Sequence, residues 1–165
     1  MVVVPAAQGA LSGGPGDAAA PEWDLAVLVK PRLLTEADIP WLGELFAKRY
    51  RNYPYDPVSA EGWFRNRVLK EPMLFLPQRT DNAFCISMLS VTPWIPADYE
   101  TNIVVICAED NATWESVSLL RASIEWAKLR RCKAWRVSSD TDNDVLPLAK
   151  RLGATEISPR YVLRL

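Results

Sequence analysis

Cys107 to Leu120 reads CAEDNATWESVSLL and joins an apolar run, NIVVI, to a helical run, LLRASIEWAKLRR. A strand entering a helix this way offers backbone N–H groups without intrahelical partners and the positive end of the helix dipole. Together these hold phosphate well. The residues that would meet such an anion are Cys107, Asn111, Ala112, Thr113, Trp114, Glu115 and Ser116. None is a glycine, although close approach of backbone to phosphate favours glycine. Trp114 puts an indole where contact should be closest, and Glu109, Asp110 and Glu115 bring carboxylates to a place suited to an anion. Two readings stand side by side: a phosphate site with its chemistry disabled, or a helix start that serves packing, with Trp114 as its anchor.

Other residues with chemical potential are few. Glu100, with Asp98 nearby, precedes the NIVVI run and is the candidate general base, drawing a proton from an amine directly or through water. The competing reading is a solvated loop acid. Ser138 and Ser139 end a strand with no base in view and read as polar strand ends. The chain has no histidine, which excludes histidine-based triads, histidine bases and histidine metal ligands. Cys85, Cys107 and Cys132 are widely spaced in apolar runs, with neither a metal pattern nor a disulfide framework, and read as buried free thiols in a reducing compartment. KLRRCKAWR gathers Lys128, Arg130, Arg131, Lys133 and Arg136, either as a basic patch or as charges complementing a helix C-terminus. KRYRNYPYDP mixes bases with Tyr50, Tyr53 and Tyr55 and offers a binding edge.

The elements that must position these residues fit one domain of 165 residues. Residues 1–22, rich in Ala, Gly and Pro, read as a flexible arm, and residues 23–165 as a single domain. A net charge of −1 supplies no field for nucleic acid, which is not expected as a partner. The N-terminus lacks a signal-peptide pattern, and no run nears the roughly 18 apolar residues of a membrane span, so an intracellular location without membrane contact is the expectation. Trp23, beside the arm, and Trp94, in a proline-flanked loop, are candidates for a protein interface.

Apolar spacing predicts a strand at 25–30, a helix over 35–50 started by Thr35 and Asp38, and a second helix over 59–70 capped by Ser59. Strands follow at 73–79 and 83–91 around a TDN turn, then at 102–108. A helix over 116–131, a strand at 134–139, a short helix capped by Asp144 and ended by Gly153, and a last strand, RYVLRL, complete the chain. The order β-α-α-β-β-β-α-β-α-β predicts an α/β (α+β) fold, a mixed sheet with helices on both faces.

This order, with LTEADIPWLGELF as a first strand-to-helix step, LLRASIEWAKLRRCKAW as a long central helix leading to a strand and LPLAKRLGA as a last helix end, resembles the GNAT-type N-acetyltransferase superfamily over residues 25–165. The resemblance implies a central mixed sheet whose neighbouring strands, NIVVICA and AWRVSS, splay to admit acetyl-CoA, with its pyrophosphate on Asn111–Ser116. It also implies an acceptor cleft bordered by KRYRNYPYDP. The chain departs from the family pattern at that loop, where Trp114 and Ser116 take the glycine positions and Asn111 that of an Arg or Gln. A second departure is Ala149, where the family's proton-donating Tyr would fall. A third is Asp142, at the place of a family Asn. Small GNAT-like proteins with such a loop resemble virion proteins of tailed bacteriophages. The resemblance with its departures implies a non-catalytic structural or binding module, with no cofactor and with a protein partner met through the arm and exposed Trp and Tyr in a larger assembly, in the cytoplasm or a virion. The alternative is an acetyl-CoA-dependent N-acetyltransferase with a divergent loop and Glu100 as base.

Overall fold

A computed structural model describes residues 2–5, 29–50, 56–91, 99–137 and 145–156, with backbone alone for 2–5. Its strands are β1 (Val2–Pro5), β2 (Arg32–Leu33), β3 (Phe75–Arg79), β4 (Ala83–Val91), β5 (Tyr99–Ala108), β6 (Ala134–Val137) and β7 (Thr155–Glu156). They form one seven-stranded sheet in the order β2-β3-β4-β5-β6-β1-β7. Every pairing is antiparallel except β5 with β6, which is parallel and is joined by the long helix α3 (Thr113–Leu129). Such a crossover needs a helix, because parallel neighbours cannot be linked by a tight turn.

Helices cover both faces, as the sequence predicts. On one face α3 and α4 (Leu146–Arg151) pack Leu119, Leu120, Ala127 and Ala149 on Ala83, Cys85, Ile103 and Ile106. On the other, α1 (Ile39–Arg49) and the segment after α2 (Pro57–Trp63) pack Ile39, Leu42, Leu45, Phe64 and Val68 on Phe84, Ile86 and Cys107. A buried polar chain pins α3 to the sheet. The Trp135 indole N–H donates to Ser123 Oγ at 2.8 Å, and Ser123 shares a hydrogen bond with Ser87, also at 2.8 Å. Buried polar groups satisfied in this way fix one packing arrangement.

Local chemistry explains the ends of the elements. Asp38 accepts from the Thr35 N–H at 2.9 Å and its hydroxyl at 3.0 Å, starting the first helix as the sequence predicts. α2 is capped by Asp56, which accepts from Val58 N and Ser59 N. This corrects the expected Ser59 cap, and Pro57 fits the first turn because it has no N–H to lose there. α2 runs on as a π-helical turn, Phe64–Val68. α3 starts three residues before the expected Ser116. It stops at Arg131 (φ 55°), whose N–H donates to Lys128 O, while Cys132 N–H donates to Ala127 O. α4 stops in the same way at Gly153 (φ 90°), the expected glycine stop.

Residues 2–5, read as part of a flexible arm, instead form β1 inside the sheet. The rest of the arm lies outside the described residues, with 25–28 of the first expected strand, Trp23, Trp94, Asp98, Ser138, Ser139, Asp142, the Asp144 cap and RYVLRL.

Candidate functional site

β4 alternates regularly. Phe84, Ile86 and Met88 face α1, while Ala83 and Cys85 face α3, and Ser87 reaches α3 through Ser123. β5 does not. Ile86 lies opposite Val105, but the next residue, Ser87, lies opposite Ile103, so Val104 is an extra residue, a β-bulge. The bulge shifts the side-chain phase: Ile103 packs with α3, and Val105, two residues on, packs with α1. In a regular strand these two would share a face. A bulge leaves its extra residue out of the ladder and bends the strand.

The bulge stands where β5 loses its second neighbour. β5 pairs with β6 only over Glu100–Asn102, although β5 itself continues to Ala108. Beyond Asn102 the two strands part, and the β6-side edge of Ile103–Ala108 has no strand partner among the described residues. Side chains from the end of α1 reach this region: Tyr50 Oη donates to Ile106 O at 3.4 Å, and Arg49 Nε donates to Ala108 O.

Against the bulge, on the α1 side, lies a cavity of about 870 Å³. Val104 and Val105 form part of its floor, α1 supplies Leu42 and Phe46, and the α2 segment supplies Trp63 and Phe64. That volume falls within the roughly 300–1,000 Å³ typical of small-molecule sites. Three carboxylates also line it: Glu44, Asp56 and Glu61. Asp56 caps α2, and the Ser59 hydroxyl together with the Val58 and Ser59 N–H groups holds its pKa below the usual carboxylate range. Glu61 pairs with Arg65 at 2.9 Å. Glu44 is exposed and has neither an ion pair nor a hydrogen bond among the described residues.

The strand-to-helix junction differs from its sequence reading. Trp114 is 45% exposed and anchors no core. Glu115 does not serve the helix dipole; its Oε1 accepts from the Asn82 N–H and side-chain amide, each at 3.1 Å, tying α3 to the β3–β4 turn. Glu109 pairs with Lys48, and Asp110 with Arg49 at 2.7 Å, so two cations of α1 stand at the junction and offset its acids. Asn111 is left-handed (φ 68°), a conformation asparagine tolerates, so the turn forms without glycine. Ala112 is buried, Thr113 is exposed, and Ser116 Oγ donates to Ala112 O at 3.1 Å.

Cys107 lies apart from the junction surface. It is buried under α1, its thiol donates to Leu45 O at 3.6 Å, and burial pushes its pKa up to about 12. Glu100 is likewise apart from the bulge. It pairs with Arg136, four residues before Val104, about 13 Å away at 3.3 Å per residue. The basic run disperses too, since Lys128 pairs with Glu125, and Arg130 lies over Trp126. Among the described residues no cluster of His, Cys, Asp or Glu is suited to a metal, and no helix is long and apolar enough to cross a membrane.

Sequence reasoning missed Glu44, Asp56 and Glu61 as one wall, although KRYRNYPYDP, flagged as a binding edge, ends at Asp56. It also missed the Val104 bulge, for which an all-apolar strand gives no signal.

No family model matches the chain, and no curated protein matches it. Solved structures do. The ribosomal-protein-alanine N-acetyltransferase of Brucella melitensis biovar Abortus superposes with a TM-score of 0.65 at 16% identity, over 83% of this chain and 100% of its own. The aminoglycoside 6'-N-acetyltransferase of Acinetobacter haemolyticus gives 0.62 at 16%, over 82% and 97%. AAC(6')-Iy, in complex with the bisubstrate analog CoA-S-monomethyl-acetylneamine, gives 0.63 at 13%, over 82% and 97%. Agreement of this extent at so little identity is agreement of architecture, and that architecture is the GNAT-type N-acetyltransferase fold.

Proposed function

We propose that this protein is an N-acyltransferase that draws an acetyl group from acetyl-CoA. The observation that carries the reading is the bulge at Val104, set where β5 and β6 part and where the cavity opens. The CoA complex of a protein with the same fold supports it. Acetyl-CoA, when bound, supplies an activated acetyl thioester. The unpaired edge of Ile103–Ala108 offers peptide groups to a pantetheine arm, and the bulge frees a backbone N–H to polarise an acyl carbonyl. Lys48 and Arg49, beside the start of α3, supply positive charge that the glycine-free loop lacks. Glu44, the cavity carboxylate without a partner, is placed to take the proton of an incoming ammonium and takes over the role first given to Glu100. Ala149 is wholly buried and donates no proton, and a thiol of ordinary pKa, about 8.5, leaves without one.

The reading as a non-catalytic virion module rested on the junction acids and Trp114. Those acids are each engaged, and the resemblances lend a virion role no support. Calorimetric titration with acetyl-CoA, followed by thiol release with amines, tests the proposal. Sub-millimolar binding is expected; neither heat nor a thermal shift at millimolar ligand would overturn it.

A further inference from the structure

The cavity walls speak to which amine is acylated, an inference that rests on the proposed N-acyltransferase reading. Four aromatic rings line the space: Phe46, Trp63, Phe64 and Phe84. Three are fixed by contacts outside it. Phe46 stacks on Tyr50 with centroids 4.4 Å apart, Trp63 meets Phe75 edge-on at 5.9 Å, and Phe84 meets Trp41 at 6.0 Å. Trp63 is 38% exposed at the wall, a large apolar surface left open by a ring that its own packing holds still. Aliphatic side chains, Leu42 and Val104 among them, fill most of the remainder.

The charge on the walls is of one sign. No lysine or arginine lines the cavity. Of its three acids, Glu61 is compensated by Arg65, which leaves Glu44 and Asp56 as net negative charge. Asp56 is held ionised by its three donors. A small number of placed charges on otherwise apolar walls fits a ligand with one cationic end and an apolar body. Walls like these cannot satisfy the many hydroxyls and ammonium groups of an aminoglycoside or a polyamine, and each polar group buried without a partner opposes binding. Aromatic faces add attraction for both a ring and a nearby cation.

We infer that the acceptor is a monoamine with an aromatic-sized apolar body, its ammonium held by Glu44 and Asp56 and its body lodged between the α1 and α2 aromatics above Val104.

The test compares 2-phenylethylamine, putrescine and neamine as acceptors at saturating acetyl-CoA, reading thiol release, with calorimetry of each amine on the protein alone. The expected result is a kcat/KM for 2-phenylethylamine at least tenfold above the other two. Asp56→Asn keeps an asparagine cap on α2 but removes the charge; it should raise KM for 2-phenylethylamine several-fold and leave acetyl-CoA affinity unchanged. Ala60→Phe, which fills the cavity from α2, should do the same. Turnover that favours putrescine or neamine overturns this inference and leaves the acyltransferase reading standing. Octanoyl-CoA outperforming acetyl-CoA, with Ala60→Phe abolishing that advantage, also overturns it, because the cavity would then hold the acyl chain. If no amine releases thiol, the acyltransferase reading falls, and the calorimetry decides the ligand class by itself: 2-phenylethylamine binding lost in Ala60→Phe supports it, and no binding overturns it.

Discussion

Glu115 accepts two hydrogen bonds from Asn82, one from the backbone N–H and one from the side-chain amide, both at 3.1 Å. An acid that in sequence looks like an obstacle to phosphate is thus a clasp between α3 and the β3–β4 turn. Glu115→Ala should lower stability by about 1 kcal/mol, the usual worth of partly exposed hydrogen bonds, as read by urea unfolding. It should not tighten acetyl-CoA binding. A large gain in affinity on that change would show that the carboxylate obstructs the helix start after all.

Deleting Val104 should straighten β5 without turning either half over, since Ile103 and Val105 already face opposite sides. The shortened protein is expected to unfold cooperatively at a temperature near that of the parent. Its turnover should fall by about 100-fold or more, the loss that follows removal of one preorganised backbone donor. Unchanged turnover would detach the bulge from catalysis.

Asp38 is buried between two arginines. It accepts from Arg32 at 2.9 and 2.6 Å and from Arg79 at 2.9 Å, as well as from Thr35. The Arg32 hydrogen bond above all, aided by Thr35 and Arg79 and opposed by burial, holds its carboxyl well below the usual range. The folded-state pKa is depressed, so this stabilisation is complete above the unfolded value, about 3.9, and is lost as pH falls towards the folded value. Asp38→Asn should cost about 3 kcal/mol at neutral pH, because two arginines lose their buried partner. It should also flatten the acid limb of the stability–pH curve, measured by denaturant midpoints.

Cys85 and Cys107 are buried, and desolvation raises both thiols to about 12. Cys132 is buried as well. Thiolate is the reactive form, so Ellman's reagent should label none of the three in the native protein over minutes and all three in denaturant. Rapid labelling of the native protein would contradict the packing of β5 under α1. The same inertness makes released CoA thiol readable against a silent background.

Much of the scaffold is legible because local chemistry writes it. Thr35 and Asp38 announce α1, the turn after Arg79 announces the β3–β4 hairpin, and Pro147 and Gly153 bracket α4. Where two local signals compete, the reading slips: Asp56 and Ser59 both suit a helix start, and Pro57 decides for Asp56. The site is less legible because its parts are distant in sequence. Lys48 meets Glu109 across 61 residues, and no local pattern encodes that pairing. The bulge is hidden for a different reason. In NIVVICA every residue but Asn102 is apolar, so there is no alternation whose interruption could be seen. β1 is concealed by its setting, three valines and a proline at the head of an Ala/Gly/Pro-rich stretch.

The hydrogen-bonded chain from Trp135 through Ser123 to Ser87 joins β6, α3 and β4 in one rigid block. α2 is its opposite, a seven-residue helix that buries none of its residues. Elements with few buried contacts open at the lowest free energy. The domain therefore divides mechanically into an anvil and a jaw. The anvil is the sheet with α3, and the jaw is α2, carrying Asp56 and Trp63 at the cavity wall. Recognition of a guest costs little in this arrangement, because the part that must yield is the part the core does not hold.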